Sequence, residues 1–459
     1  MQSYNLSARD IIHEQRSMSD SELETLTAIT DVGQNFLSAR TNLTDSEPSS
    51  VCFSSKEDKS VKIFCFTWNS ESIRIAEAVR HSGEEPLSIL SEYWYKCEQP
   101  DFLPELLQKV FCKGEEAENN EEKQCKYDLL VFSLQESAKP GDYLLNAIAN
   151  ELGNRYTLLR RQRMLGVGKT SWTSLARDWQ IKLRGVRIAV FARKEFEERI
   201  ALLGDAFVPC PGRERLTHGK GAVAVVLRVV DIGIIAFINV HLPFDSKTLD
   251  GSNQARIQSG VAFQNKALNS VIEYVRDQYR GIHYVFLMGD LNYRVLHREN
   301  QVDARAMYHL LNQGPEQRRI IYETRDELKQ SINYGALPPF LEGIENKGPD
   351  FMPSAKMTRD RSPSGNTSIE AYKLGTNFQR NPSWTDRIIY ASHRELEQTE
   401  RPQRLRAEYG RIIEGDGDIL CTLYDRFEQG KTMTKSDHSS VIGAFEIKPF
   451  LGGEDSGNK

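Results

Sequence analysis

The stretch HYVFLMGD, residues 283–290, is a mostly apolar run that ends in a glycine and a carboxylate. A run of this length is typical of a strand buried on both faces, because such a strand has no polar side. Four further stretches share the pattern of an apolar run with polar residues at one end: FCFTWN, LLVFSLQE, IIAFINVH and DHSSVIGAFE. One end of a packed sheet collects such residues from distant parts of the chain. The sequence therefore predicts a cluster of polar side chains at one end of a sheet.

Strands and helices are predicted to interleave over residues 61–448 without an internal repeat. Apolar residues recur at helical spacing over residues 255–280, and a tight hairpin is expected across Val230, Asp231 and Ile232. Because hairpins and crossovers are mixed, the pattern favours a single α/β domain with mixed sheets. We predict that residues 1–60 form a polar extension that is weakly ordered or helical, and that residues 449–459 form a flexible tail.

Composition narrows the class of protein. The net charge of −5 argues against a sequence-independent nucleic-acid binder, which usually carries a basic excess, so no nucleic-acid partner is expected. The seven cysteines are odd in number and contain no C-x-x-C pair, which disfavours a disulfide framework or structural zinc site. We also see no signal peptide and no run approaching the ~18 apolar residues of a membrane helix. These features indicate the cytoplasm, while peripheral membrane contact and the oligomeric state stay open.

Two segments carry a family resemblance. FLMGDLNYR, residues 286–294, and NPSWTDRIIY, residues 381–390, resemble the signature motifs of inositol polyphosphate 5-phosphatases. FTWN, FSLQE, GKGAVAV, INVHL and KSDHSSVIGAFE also occur in the family's order, so the resemblance covers residues 61–448. It implies the four-layer α/β/β/α sandwich of the deoxyribonuclease-I-like endonuclease/exonuclease/phosphatase superfamily. It also implies Mg²⁺-dependent hydrolysis of the 5-phosphate of inositol polyphosphates or phosphoinositides.

The resemblance assigns catalytic roles to individual residues. The residues predicted to be catalytic are Asp290, Asn292, His438, Asp386, His241 and Asn239. Asp290 would orient and deprotonate the water that attacks phosphorus, and Asn292 would hold that water or a phosphate oxygen. Asp386 would fix the tautomer of His438, whose other nitrogen then faces the phosphoryl group. His241 and Asn239 are further candidates for contacts with phosphate oxygens.

The resemblance also assigns metal and substrate ligands. Magnesium prefers oxygen ligands, and the predicted set is Glu136, Asn69 and Asp437. Taken singly, Asn69 could be a turn residue and Glu136 a solvated strand end. The phosphates of the substrate need positive charge, and the predicted substrate-binding residues are Lys220, Lys356, Arg380, Arg387 and Arg294.

Some positions depart from the family pattern. Ala355 stands where the phosphoinositide-type enzymes usually carry Tyr, Phe378 where they carry Lys, and Thr385 where they carry Cys. Soluble inositol phosphates and phosphoinositide lipids therefore both remain open as substrates. A nuclease or other phosphodiesterase on the same fold is an alternative, disfavoured by the W-T-D-R-I motif and the acidic charge. A non-catalytic phosphoinositide-binding protein is another, disfavoured because the metal and water positions keep their chemistry.

Overall fold

The computed structural model describes residues 60–70, 100–111, 125–137, 140–167, 183–209, 220–244, 254–296, 304–362, 368–374, 381–397, 412–413 and 418–451. The chain divides into two units, Met1–Asp58 and Lys59–Lys459, and all described residues belong to the second. The polar extension predicted over residues 1–60 lies outside the described residues, apart from Ser60, and stays a prediction.

Two six-stranded sheets form the centre of this unit. The first has the order β12-β13-β1-β2-β4-β3, from β1 (Val61–Asn69), β2 (Leu129–Gln135), β3 (Tyr156–Val167), β4 (Leu183–Arg193), β12 (Ile419–Phe427) and β13 (Ser440–Ile447). The second has the order β5-β6-β7-β8-β10-β9, from β5 (Ile200–Pro209), β6 (Gly221–Val229), β7 (Gly233–His241), β8 (Tyr284–Asp290), β9 (Leu341–Glu342) and β10 (Asp386–Ser392). A separate short ladder pairs β11 (Ile412–Ile413) with β14 (Phe450–Leu451), which lies within the predicted tail.

The helices of the described part are α1 (Leu103–Val110), α2 (Pro140–Leu152), α3 (Gln254–Gln278), α4 (Ala304–Leu311), α5 (Pro315–Arg325), α6 (Glu327–Asn333), α7 (His393–Glu397) and α8 (Gly430–Thr434). The helix predicted over residues 255–280 is confirmed as α3. The predicted hairpin is confirmed as the β6–β7 pair. Among the helices of the described ranges, none is long and apolar enough to cross a membrane.

Three hydrophobic clusters separate the layers of the fold. The first lies between the sheets, where Ile63 and Val131 of the first sheet join Phe237 of the second. Another includes Leu268 of α3 and lies on the outer face of the second sheet, and the remaining one includes Leu106 of α1 and lies on the outer face of the first. Helices therefore cover both outer faces, which confirms the predicted four-layer α/β/β/α sandwich.

Each sheet contains one parallel strand pair. In the first sheet β1 runs parallel to β2, with Asn69 opposite Gln135. In the second β7 runs parallel to β8, with His241 opposite Asp290. Because two parallel strands end on the same side of their sheet, each sheet places two neighbouring carboxyl ends at one position. The polar residues at these strand ends build the candidate site.

Candidate active site

A hydrogen bond between the two sheets marks the centre of the site. Asn69 Nδ2, at the end of β1, donates to Asp290 Oδ2, at the end of β8, over 2.9 Å. Asp290 Oδ1 accepts from the backbone nitrogen of Asn292 at 3.1 Å. His241 Nε2 lies 3.3 Å from Asp290 Oδ2 and 3.9 Å from Glu136 Oε1. The strand ends predicted from the sequence to converge therefore do so around Asp290, which is 2% exposed.

The local backbone explains why the signature motif carries glycine before this aspartate. Gly289 has φ +137°, and a Cβ built there would lie 1.9 Å from the carbonyl oxygen of Val240 in the neighbouring strand. Any side chain would force β7 and β8 apart. Asn292 and Glu136 have φ of 59° and 47°, a left-handed conformation that costs a side-chain-bearing residue about 1–2 kcal/mol. Such conformations cluster at functional sites, where the surrounding structure maintains them.

Electrostatics keeps Asp290 charged although it is buried. Burial alone would raise the pKa of this carboxyl, but the hydrogen bond with His241 and the nearby His438, His241 and Lys220 hold it well below its ordinary range. Burial, followed by the positive charge of Lys220, lowers the pKa of His241. Lys220 Nζ directly contacts His241 Nε2. The site therefore holds Asp290 as an ionised carboxylate at neutral pH.

A second hydrogen-bonded pair lies beside Asp290. His438 Nδ1 is 2.8 Å from Asp386 Oδ2, and both side chains are buried. The same oxygen accepts from Ser354 Oγ at 2.8 Å and from Thr385 Oγ1 at 2.9 Å. Burial works to lower the pKa of His438, but the charge and hydrogen bond of Asp386 outweigh it and raise that pKa above its ordinary value. The predicted Asp386–His438 arrangement is therefore present.

Cationic side chains lie around these two groups. Lys356 Nζ binds Asp437 Oδ2 at 2.7 Å, and Asp437 Oδ1 is 3.5 Å from His438 Nε2. Arg294 donates from Nη2 to Asn292 Oδ1 at 2.9 Å. Lys356, Arg294 and Lys220 therefore place three cationic side chains beside the groups around Asp290 and His438. The predicted substrate ligand Arg380 lies outside the described residues.

The donor set is suited to a hard divalent cation. Glu136, Asn69 and Asp290 supply carboxylate and amide oxygens, the ligand type that Mg²⁺ prefers. Asn69 directs its amide nitrogen to Asp290, which orients its oxygen away from that carboxylate. A second possible group is Asp290, Asp386 and His438, which each offer one ligand atom, and these three atoms lie within 4.8 Å of one another. The hydrogen bond between the last two accounts for their proximity, so we favour the oxygen-rich side for a metal.

Asn239 belongs to a layer beneath the site. Its Nδ2 donates to the carbonyl oxygens of Leu134 and Arg187 at 3.1 and 2.6 Å. Its Oδ1 accepts from Gln135 Nε2 at 2.7 Å. The amide is fully buried and is engaged in hydrogen bonds between the strands. This corrects the prediction that Asn239 contacts phosphate: it supports the strand ends from below.

Arg387 also lies away from the site. It is fully buried, and its guanidinium binds Asp326 and, over 2.9 Å, Glu342. Tyr322 and Tyr424 donate hydrogen bonds to the same Glu342 carboxylate at 3.0 and 2.7 Å. No exposed atom is left with which to bind a substrate. The prediction that Arg387 binds substrate is therefore corrected to a structural role.

We expect Arg387→Met to lower the free energy of unfolding by about 3–5 kcal/mol, because it leaves two buried carboxylates without their cation. Urea denaturation measures the loss. Adding Asp326→Asn and Glu342→Gln to the same variant removes the uncompensated charges and should recover part of that loss. An unfolding free energy within about 1 kcal/mol of wild type for Arg387→Met alone would contradict the structural role.

Comparison with known proteins identifies the family. A family model described as endonuclease/exonuclease/phosphatase family 2 matches residues 67–444, a span that includes every predicted site residue. The chain belongs to this family. Asn69, near the start of the match, and His438, near its end, lie at the same end of the sandwich, so residues from both ends of the matched region contribute to the site.

Curated relatives within the superfamily agree with the predicted resemblance. The chain is similar to type II inositol polyphosphate 5-phosphatase 14 of Arabidopsis thaliana, with 24% identity over 294 residues, 58% of this chain and 22% of the relative. It is similar to type I inositol polyphosphate 5-phosphatase 13 of the same plant, with 25% identity over 234 residues, 46% of this chain and 19% of the relative. The chain thus spans about a fifth of the length of these relatives.

Solved structures show more distant likeness. The inositol polyphosphate 5-phosphatase domain of a synaptojanin, bound to inositol (1,4)-bisphosphate and calcium, matches 85% of both chains at 17% identity and a TM-score of 0.49. A Cimex nitrophorin in its ferrous NO complex matches 85% of this chain and 99% of its own at 14% identity and a TM-score of 0.45. Likeness at this level carries no argument about chemistry.

Some residues that hold the site residues in place could not be recognised from the sequence. Ser354 and Thr385 bind Asp386, and both flank residues already singled out in the sequence. Glu327, the first residue of α6, gave no such signal. Its Oε2 accepts from the backbone nitrogen of Arg294 at 2.7 Å, while its own backbone nitrogen donates to the Arg294 carbonyl oxygen at 3.0 Å. Glu327 therefore holds the backbone that follows Asn292.

Burial raises the pKa of Glu327 from its ordinary value of 4.5 to about 7. A carboxyl with a higher pKa in the folded protein binds more protons when folded, so its contribution to stability falls as pH rises from about 4.5 to about 7. We expect Glu327→Gln to raise the free energy of unfolding above pH 7 by up to about 3 kcal/mol, since one pKa unit corresponds to about 1.4 kcal/mol. The difference should vanish near pH 4.5. Denaturation at both pH values measures it, and an equal effect at the two would contradict the assignment.

Proposed function

We propose that this chain hydrolyses phosphate monoesters of inositol polyphosphates or phosphoinositides at the 5-position, with Mg²⁺. One observation carries the proposal: an ionised carboxylate, Asp290, lies beside the hydrogen-bonded pair Asp386–His438. This arrangement provides a group that orients water and a group that stabilises charge on phosphate, within one cluster. The names of the curated relatives and the family motifs support the choice of inositol phosphates.

The proposed reaction is attack by water in line with the leaving group. The water oxygen forms a bond to phosphorus while the bond from phosphorus to the inositol oxygen breaks, and the leaving oxygen takes a proton from solvent, which yields inorganic phosphate and an inositol hydroxyl. Asp290 orients the water and accepts its proton. Because the pKa of Asp290 is held low, orientation is the larger part of this role. Asn69 and the Asn292 backbone fix the carboxylate through their hydrogen bonds.

His438 stabilises the phosphoryl group in the transition state. Asp386 accepts a hydrogen bond from His438 Nδ1, which leaves Nε2 to face the substrate. The raised pKa of His438 favours the charged ring. Lys220, Lys356 and Arg294 bind the phosphates of the substrate. A divalent cation, for which we propose Glu136 and Asn69 as ligands with Asp437 as a further candidate, would neutralise charge on the phosphate when bound.

Whether the substrate is a soluble inositol phosphate or a phosphoinositide lipid is a second part of the proposal. A soluble inositol phosphate and a phosphoinositide headgroup share the same phosphates, so the basic residues suit both. Ala355, which replaces the family tyrosine, is fully buried and its backbone pairs with Ser383. It therefore offers no hydroxyl to a phosphate. We place the reaction in the cytoplasm, following the cysteine usage, with membrane contact required only for the lipid substrate.

The test is phosphate release by the purified protein with Mg²⁺ and with EDTA. We would compare inositol 1,4,5-trisphosphate with liposomes that contain phosphatidylinositol 4,5-bisphosphate and identify the products by chromatography. Loss of the 5-phosphate that requires Mg²⁺ is the expected result, and the ratio of the two rates assigns the source of the substrate.

Two results would count against this function. Cleavage of duplex DNA without activity on inositol phosphates would establish the phosphodiesterase alternative. Binding of either inositol phosphate without release of phosphate, by folded protein with Mg²⁺ present, would establish the binding-protein alternative.

A further inference from the structure

Two site residues lie on a short irregular segment. Asp437 and His438 fall between α8, which ends at Thr434, and β13, which begins at Ser440. Backbone bonds to residues 354–357 hold part of this segment: His438 forms a β-bridge with Ala355, and the Asp437 carbonyl oxygen and the Ser439 backbone nitrogen each make a 2.8 Å hydrogen bond to that stretch. The carbonyl oxygens of Ser436 and His438 instead take side-chain donors. Because His438 must keep its 2.8 Å contact with Asp386, the groups that fix this segment decide the geometry of the site.

Arg361 supplies several of these contacts from an adjacent loop. Its Nη1 donates to the carbonyl oxygens of Ser436 at 2.6 Å and Thr434 at 3.2 Å. Its Nη2 lies 3.4 Å from Ser439 Oγ and 3.5 Å from the His438 carbonyl oxygen. One guanidinium therefore binds the segment on both sides of Asp437. The planar fork of five donors makes this possible, and a lysine could not reproduce it.

Glu428 fixes Arg361 in turn. It follows directly after β12, so its backbone is attached to the end of a strand of the first sheet. The pair is bidentate, with Arg361 Nε 2.8 Å from Glu428 Oε1 and Arg361 Nη2 2.9 Å from Glu428 Oε2. Ser439 also donates its hydroxyl to this carboxylate. The sheet, the Arg361 loop and the segment with His438 are thus joined by one group of hydrogen bonds.

The burial of this pair indicates that stability alone does not account for it. The side chains of Arg361 and Glu428 are 3% and 1% exposed. Desolvation of two buried charges cancels much of their attraction, and apolar residues of similar volume often give equal stability. What an apolar pair could not provide is donors for the carbonyl oxygens of Thr434 and Ser436. What the ion pair provides and an apolar pair would not is therefore the positioning of residues 434–439.

We propose that Arg361 and Glu428 are positioning residues that set the location of His438 and Asp437 for catalysis. The inference rests on the proposed function for its kinetic consequence only. Neither side chain contacts the Asp290 or Asp386 carboxylates, and both act through the backbone of residues 434–439. Misplacement of a catalytic group by about 1 Å costs on the order of 10²-fold in rate, so the effect belongs in kcat.

The decisive variant replaces both charges at once, Arg361→Met with Glu428→Met, so that neither is left buried alone. We expect a folded protein whose kcat on the best inositol phosphate is lower by about 10- to 100-fold, with KM within about threefold. The ¹⁵N resonance of His438 Nδ1, recorded without metal at one pH, should also shift, because it reports the bond to Asp386. The matched control is Arg193→Met with Asp128→Asn, an ion pair of 2.8 Å next to the opposite end of β2. It should leave kcat and the resonance unchanged.

Wild-type kcat and an unchanged His438 resonance in the folded double variant would overturn the proposal. The resonance decides the question even if the protein has no phosphatase activity, which separates failure of this inference from failure of the proposed function. If the double variant does not fold, Arg361→Lys takes its place, since it keeps the charge beside Glu428 and loses the contacts with the segment. A lower kcat and a shifted resonance in that variant support the proposal, and wild-type values for both overturn it.

Discussion

Replacing Asp290 by alanine should lower kcat by at least about 10³-fold while the protein stays folded. The side chain is the meeting point of Asn69, His241 and the Asn292 backbone, so its loss removes both the orientation of water and the centre of the cluster. General-base contributions alone reach about 10²–10⁴-fold, and lost positioning adds to them. Release of phosphate at saturating substrate measures the effect.

The fold should tolerate this change because the carboxylate contributes little to the core. Asp290 sits at the end of β8 and is not part of the hydrophobic clusters, but its lowered pKa means that the surrounding groups stabilise its charge, so its removal costs some stability and leaves Asn69 without its acceptor. We expect the free energy of unfolding to stay within about 1–2 kcal/mol of wild type. An Asp290→Ala protein that folds and retains a tenth or more of wild-type kcat would disprove the assignment of water orientation to this residue.

Secondary structure could be predicted from the sequence where strands are buried on both faces. The central strands β1, β2, β7 and β8 are continuous apolar runs, and each was identified. Strands β5, β9 and β12, which lie at the edges of the two large sheets, were not predicted, and neither were the short strands β11 and β14. An edge strand is partly exposed, as with Leu202 and Phe207 of β5 at 43% and 46%, so its apolar pattern is interrupted.

The structure brings together the predicted residues that stand at strand ends, but not those for which the direction or the depth of the side chain decides. Arg387 follows Asp386 directly in β10, and successive residues of a strand point to opposite faces. The aspartate therefore faces His438, while the arginine faces Asp326 and Glu342. Asn239 shares a strand face with His241 but lies two residues earlier, about 7 Å deeper along the strand. A motif lists neighbours in sequence, and only packing shows which of them reach the surface.

Changing Asp386 to asparagine should lower kcat by about 10²–10⁴-fold and change its pH dependence, because an amide keeps the shape of the carboxylate and removes its charge. Asp386 Oδ2 accepts from Ser354, Thr385 and His438, while Oδ1 has no hydrogen-bond partner among the described residues. The amide oxygen can therefore take the place of Oδ2 and keep these contacts. Loss of the charge is then the main change, with Thr385→Val as the control that removes one hydroxyl contact and leaves the charge.

The direction of the pH effect follows from the two opposing influences on His438. In the wild type burial lowers the pKa of His438, while the charge and the hydrogen bond of Asp386 together raise it and outweigh burial. In Asp386→Asn the charge of residue 386 is lost, while burial and Lys356 still lower the pKa and Asp290 still raises it, so the pKa should fall and the ring should lose its proton at lower pH. If the charged ring stabilises the phosphoryl group, the alkaline limb of the kcat profile must move to lower pH in the variant and not in Thr385→Val. NMR titration of His438 in both proteins measures the same shift without substrate. An unmoved alkaline limb alongside a lowered His438 pKa would mean that the neutral ring acts in catalysis, and that Asp386 serves only to orient it.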